Sequence, residues 1–482
     1  MRLRYTLHLV GILTFYLGLT MVFPLLFGLY YQDESVVPLL KSIGVTLTSG
    51  LILRFVFRGA RGESMTHREG MGVVALGWAA AGFFGALPYY WGGVFSGFSD
   101  CLFESVSGFT TTGASVLTQI EMTARGFLFW RSLTHWLGGM GIIVLGLAIL
   151  PIIGIGGMQL YKAEVPGPAP DRLKPRIKDT AMVLWKVYVL LSAAETVLLM
   201  AGGMDLFEAL CHTFGTMATG GFSTRNASIG SYNSPYIDTV VIIFMLFAGI
   251  NFALHYQFLK GDRGAFWRNS EFRFFIGIVA IFFLAVTFSL FGAVYDSLGN
   301  SIRYSAFQVI SIITTTGYVT ADYEMWPSLP QVILLFCMFL GASAGSTGGG
   351  MKCMRIMLLL KHTYKQMFSL IHPRAVVQVK LGGRPVPDEV MHSIWGYFVL
   401  YIGLFILSAF LLAAMDVDIV TSFAAVAATI GNIGPGLGMV GPTHNYVHIP
   451  ILGKWLLILC MLLGRLEIYT ILILFVPEFW RK

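Results

Sequence analysis

The sequence predicts an all-α polytopic membrane protein: two N-terminal transmembrane helices, then four copies of a helix–re-entrant loop–helix unit. Three observations carry that prediction. Of 482 residues, 56% are apolar and only 12% charged, about half the charge of an ordinary soluble domain. Apolar runs long enough to cross a hydrocarbon core of roughly 30 Å recur along the whole chain. Basic residues gather in alternating loops, at Arg54–Arg68, Lys162–Lys178, Lys260–Arg273, Lys352–Arg384 and Arg481–Lys482. The loops between them hold chiefly Arg125, Arg225 and Arg303. That asymmetry places both termini and the basic loops in the cytoplasm.

The net charge of +7 therefore reports topology and gives no reason to expect a nucleic-acid partner. The first apolar runs are His8–Tyr30 and Pro38–Leu53. The opening "MRLRYT" has the basic start of a secretory leader, but the apolar stretch is too long and no small-residue cleavage site follows it. It reads as a retained helix. The five cysteines are scattered, without the spacing of a disulfide framework or a zinc site.

From there a unit recurs: a long apolar helix, a short run ending in Thr and Gly, and a second long helix. The short runs are Asp100–Phe109, Leu206–Met217, Ile302–Ile313 and Thr421–Ile430. At about ten residues each they are too short to span and read as re-entrant. The flanking helices are Gly70–Tyr90 with Gly126–Ile155, Thr180–Gly203 with Ile237–Leu259, Phe274–Phe291 with Gln331–Leu360, and His392–Ala414 with Pro450–Phe475. The expected division is 1–66 for the N-terminal pair, then 67–157, 158–262, 263–384 and 385–482 for the four repeats.

The short runs end alike: "TTTGA" (Thr110–Ala114), "ATGGF" (Ala218–Phe222), "TTTGY" (Thr314–Tyr318) and "GNIGP" (Gly431–Pro435). Their aligned glycines, Gly113, Gly221, Gly317 and Gly434, recur about every hundred residues, and all four ends face outward under the charge-derived topology. One such stretch alone would read as a helix end with a glycine cap. Four with common spacing and sidedness suggest loops gathered around one axis, because non-helical backbone at membrane depth must be buried in protein or line water. Rings of backbone carbonyls can replace the hydration shell of a monovalent cation. No carboxylate lies in these loops, which argues against a divalent site built from charged rings.

Two further features stand out. "GASAGSTGGGMK" (Gly341–Lys352) interrupts an apolar helix with small and polar residues, as an unwound, cavity-lining segment would. A small-residue packing face is the alternative. Arg465 lies inside the last apolar run, where a charge is costly and faces a cavity as a rule. Pairing with Glu467 is its alternative. "GLGMVG" (Gly436–Gly441) matches a dinucleotide fingerprint without the strand and helix it needs. No nucleotide site is expected in this chain. Dispersed histidines and the lack of a nucleophile–base or metal motif argue against an enzyme.

At these residues the chain resembles the Trk, Ktr and HKT superfamily of potassium transporters, nearest its bacterial TrkH-type branch. The likeness is carried by "WLGGMGIIVL" (Trp136–Leu145), "GGMQLYKAE" (Gly156–Glu164), "GSTGGGMK" (Gly345–Lys352), "GNIGPGLG" (Gly431–Gly438) and "GRLE" (Gly464–Glu467). The resemblance implies a pseudo-fourfold pore of four helix–pore loop–helix repeats in the bacterial inner membrane. It implies a potassium filter formed at Thr111, Thr112, Gly113, Thr219, Gly220, Gly221, Thr315, Thr316, Gly317, Asn432, Ile433 and Gly434. Plant relatives with Ser at the first glycine pass sodium; Gly at all four positions here implies potassium. The loop containing Gly345, Ser346, Thr347, Gly348, Gly349, Gly350 and Lys352, together with Arg465, is implied as a gate. The implied partners are a second copy of the chain and a cytosolic, nucleotide-binding ring of the TrkA type, besides membrane lipid. Coupled transport of potassium with protons or sodium is the alternative to a gated pore. A titratable group on the path would favour it, and Glu104 and His212, at one aligned position of the first two repeats, are the suggestive pair. Gln308 and Ala424 stand at that position in the other two.

Overall fold

A computed structural model describes residues 2–58, 66–148 and 177–480. The motif at 156–164, the end of the helix expected over 126–155, residues 59–65 of the first basic loop, residues 162–176 of the second and the tail 481–482 lie outside the described residues. Helices α1 (Leu3–Thr20) and α2 (Val22–Tyr31) run on as one 29-residue span, and α3 (Val36–Val56) returns beside them. Glycine lets these backbones approach: a Cβ added at Gly50 would stand 2.6 Å from the Phe15 nitrogen. Arg2 then ties the N-terminus to α4 (His67–Trp91) through Glu69, at 2.5 Å. Glu69 also closes a capping box with Thr66, which explains why α4 begins there.

Each long helix that follows is paired with a short one. The short helices are α5 (Phe98–Phe109), α8 (Leu206–Met217), α12 (Leu298–Ile313) and α16 (Ile419–Ile430). Asp205 and Asp418 start two of them by accepting the N–H groups of Glu208 and Thr421 at 2.6 and 3.0 Å. The long partners are α4 with α6 (Arg125–Ala148), and α7 (Ile177–Ala201) with α9 (Pro235–Gly249) and α10 (Phe252–Leu259). Then come α11 (Ser270–Leu290) with α13 (Ser328–Cys337) and α14 (Cys353–Ile371), and α15 (Asp388–Ala413) with α17 (Ile451–Arg465). Among the described residues six helices are long and apolar enough to span a membrane, or eight if each bent pair counts as one span. The protein is thus multi-pass and mostly helical.

Three predicted helices are broken. Residues 237–259 bend by 103° between Gly249 and Phe252, and the last run bends by 114° after Arg465. The run from 331 to 360 unwinds from Met338 to Lys352, which is where its small residues were expected to open it. Apolarity fixed the length of these segments, but the breaks are set by tertiary hydrogen bonds that hydropathy does not register. The only strands among the described residues form a hairpin, Lys380–Leu381 with Arg384–Pro385. Its turn is Gly382–Gly383, both at positive φ. Gly436–Gly441 therefore has no βαβ surroundings.

Ion pairs join short helices to long helices distant in sequence. Lys454 of α17 reaches Asp100 of α5 at 2.7 Å, and Arg303 of α12 reaches Asp238 of α9 at 2.7 Å.

Candidate functional site: a four-loop ring and the loop beneath it

The four short helices end in the same backbone motif. The N–H groups of Thr112, Gly220, Thr316 and Ile433 bond the carbonyls five residues back, at 2.8–2.9 Å. Those of Thr111, Thr219, Thr315 and Asn432 bond three residues back. This is the Schellman cap, whose C′ residue is left-handed. That residue is Thr in three repeats and Asn in the fourth, with φ of 50, 55, 62 and 54°. A β-branched residue there is strained by about 1–2 kcal/mol, and such strain clusters at functional sites. Two residues on, Gly113, Gly221, Gly317 and Gly434 are left-handed again, at 80, 76, 78 and 99°.

The glycines also show how the loops meet. A Cβ on Gly113 would lie 2.1 Å from the Gly220 carbonyl oxygen, one on Gly221 2.0 Å from that of Thr316, and one on Gly317 1.9 Å from that of Ile433. One on Gly434 would lie 2.7 Å from that of Thr112. Each loop abuts the next and the fourth closes on the first, so the tips form a ring. All twelve predicted loop residues are in it.

The carbonyls of Thr111, Thr112, Thr219, Thr315, Thr316, Asn432 and Ile433 accept no hydrogen bond from any described residue, yet these side chains are fully buried. Two side-chain oxygens, Thr111 Oγ1 and Asn432 Oδ1, are buried without partners as well. Buried carbonyls find donors as a rule. Carbonyl oxygens left unpaired in four symmetric loops are a donor set for a bare monovalent cation. Among the described residues no cluster of His, Cys, Asp and Glu could hold a metal ion.

Glu104, His212 and Gln308 brace the ring. Glu104 accepts from Ser115 Oγ at 2.8 Å, Val116 N at 2.9 Å and Arg131 Nε at 2.6 Å, and Arg131 donates to Ser223 O in the second loop at 2.9 Å. His212 Nε2 meets Ser223 Oγ at 2.9 Å, and Gln308, with its amide turned so that the oxygen faces the backbone, accepts from Thr320 N at 2.8 Å. Ala424 instead leaves room for Gly436, whose Cβ would stand 3.1 Å from the Ala424 carbonyl. His135, which sequence reasoning passed over, accepts the Phe222 N–H at Nε2 (3.2 Å), so Nδ1 carries the proton it donates to Gly108 O at 2.8 Å. Neutralising Glu104 leaves Arg131 buried without its counter-charge, which costs about 3–5 kcal/mol. Glu104→Gln should therefore unfold at clearly lower temperature in detergent, and adding Arg131→Met should recover most of the loss. A single variant as stable as wild type would contradict the brace.

Beneath the ring, the unwound segment is pinched at its base by Gly341 N to Met351 O, 2.6 Å. Its tip touches the ring: Gly349 N donates to Thr315 Oγ1 at 2.7 Å, and Thr347 Oγ1 to Met217 O at 2.9 Å. Gly350 and Gly345 are left-handed, and Ser346 Oγ donates to Ser343 O at 2.6 Å. Lys352 Nζ bonds Gly348 O within the loop. Arg465, 3% exposed, ends α17 rather than lying inside it. Its Nη1 donates to Thr347 O at 2.7 Å, and its Nη2 reaches Gly138 O at 3.5 Å. Glu467 is not its partner: that carboxylate pairs with Arg355. The ring, the loop and Arg465 are one connected assembly.

A family model described as a cation transport protein, TrkH, matches residues 47–482. The chain belongs to the TrkH family. It is 43% identical to the Trk system potassium uptake proteins TrkH of Salmonella typhimurium and Escherichia coli K12, over the full length of both partners. It is 36% identical to TrkG of Escherichia coli K12, over 99% of each. Its structure matches the crystal structure of the potassium transporter TrkH from Vibrio parahaemolyticus with a TM-score of 0.92, at 39% identity and complete coverage of both chains. The TrkH assignment agrees with the family resemblance read from the sequence.

Proposed function

We propose that this chain is the potassium-conducting membrane subunit of a Trk uptake system, passing the ion through the centre of the four-loop ring. The carrying observation is the set of buried carbonyls left without donors in four loops of one backbone geometry. The ring oxygens of residues 111–113, 219–221, 315–317 and 432–434 stand in for the ion's hydration shell. The short helices direct their C-termini toward the ring, and the partial negative charge there favours a cation. The loop 341–352 closes the path below, and Arg465 both tethers it and sets a positive charge where the ion would leave.

The names of the relatives support potassium as cargo. Both termini lie in the cytoplasm of a bacterial inner membrane, and the chain pairs with a second copy. The basic segment 352–384 docks a cytosolic nucleotide-binding ring that controls the gate, while this chain itself binds no nucleotide.

The test is electrical. Purified protein in planar bilayers should give a reversal potential that follows the potassium gradient alone. A reversal potential that moves with an imposed pH or sodium gradient would replace the pore by a symporter. The bracing of Glu104 and His212 leaves neither side chain free to relay a proton.

A further inference from the structure

The break between α9 and α10 has an unusual set of hydrogen-bond partners. In a continuous helix the Phe252 N–H would bond Ala248 O, and the Ala253 N–H would bond Gly249 O. Neither bond exists, and the loop 343–347 takes three of these four groups. Phe252 N donates to Gly345 O at 3.1 Å, Ala248 O accepts from Thr347 N at 3.3 Å, and Gly249 O accepts from Ser343 N at 3.0 Å. The fourth goes to a side chain: Ala253 N donates to Asn251 Oδ1 at 2.9 Å. The Asn251 amide also packs on Gly345, where a Cβ would come within 2.8 Å of it. The loop is thus spliced into the helix's own hydrogen-bond ladder.

We propose that Asn251 is a positioning residue for the gate: by capping α10 it holds the ladder open, so that the loop and the closed helix compete for the same peptide groups. This rests on the gating role proposed above for residues 341–352. With the loop seated, Ala248 O, Gly249 O and Phe252 N–H are satisfied by it. With the loop withdrawn, closing α9 onto α10 satisfies all three and the Ala253 N–H together. Each arrangement therefore gives these four helix peptide groups partners, which is what a two-state element requires of them.

The proposal predicts opposite effects from two substitutions at one position. Asn251→Ala removes the cap and supplies the strongest helix former, so it favours the closed helix and unseats the loop. Asn251→Pro does the reverse. Asn251 already has φ −56°, and Ile250 before it is extended at φ −95°, ψ 151°, so proline fits the broken state. It cannot enter a continuous helix. Potassium flux of the full chain in proteoliposomes should rise several-fold in N251A and fall several-fold in N251P, with N251S, which keeps a capping oxygen, near wild type. Spin labels at Ile243 and Leu259, both exposed, should move apart in N251A and hold their distance in N251P. Flux lost in both variants, or unchanged in both while Arg465→Ala alters it, would overturn the proposal and leave the pore reading intact. No potassium flux in wild type would instead overturn the pore reading itself.

Discussion

Potassium flux through Arg465→Ala is expected to exceed wild type by roughly ten- to a hundredfold in proteoliposomes without any partner protein. The loop is held by a guanidinium donating to Thr347 O. A hydrogen bond to a charged group contributes about 1.5–3 kcal/mol, and each 1.4 kcal/mol is a factor of about ten in a two-state equilibrium. Removing it also strands a buried carbonyl, which further penalises the seated loop. Unaltered flux would reduce Arg465 to a packing residue.

The tether and the charge can be separated. Arg465→Gln keeps a donor toward Thr347 but removes the positive charge beneath the ring. If the charge alone impedes the ion, Gln should behave as Ala does. If the tether dominates, Gln should remain near wild type. Arg465→Lys retains the charge but lacks the planar fork that reaches both Thr347 O and Gly138 O. It is expected to fall between wild type and Ala.

Much of this assembly was legible in the sequence because it is written in local patterns. The short helices appeared as apolar runs too brief to span, and the ends predicted at Phe109, Met217, Ile313 and Ile430 are the ends observed. The aligned glycines were legible because a left-handed residue in contact with a neighbouring carbonyl has to be Gly. The left-handed Thr111, Thr219 and Thr315 were not, since threonine disfavours that region and only the Schellman bonds impose it. Nor was the break at Ile250–Asn251, which carries no proline. Three of its freed peptide groups are satisfied by a loop nearly a hundred residues further on, so nothing near it in sequence announces it. Arg465 was legible as a costly intramembrane charge, but its acceptor is a backbone carbonyl that no sequence pattern marks, and the alternative pairing with Glu467 is not made.

The ring glycines make the second large prediction, which is graded in advance by geometry. Gly113→Ser should lower the potassium-to-sodium permeability ratio roughly tenfold, equivalent to about 1.4 kcal/mol of lost discrimination. At φ +80° any side chain is strained, and its Cβ would stand 2.1 Å from the Gly220 oxygen. Something must move by more than about 1 Å to restore an ordinary contact, and the group in the way is the Gly220 carbonyl of the neighbouring loop. Serine at Gly221 and Gly317 meets oxygens at 2.0 and 1.9 Å and should be as damaging, whereas at Gly434 the nearest oxygen is 2.7 Å away and the loss should be smaller. Bi-ionic reversal potentials of the four variants would give the order. Equal effects at all four sites would mean that backbone strain, common to them, sets selectivity. No effect at Gly113, Gly221 or Gly317 would mean that ions are discriminated elsewhere on the path, because no rearrangement spares the neighbouring carbonyl from a Cβ placed against it.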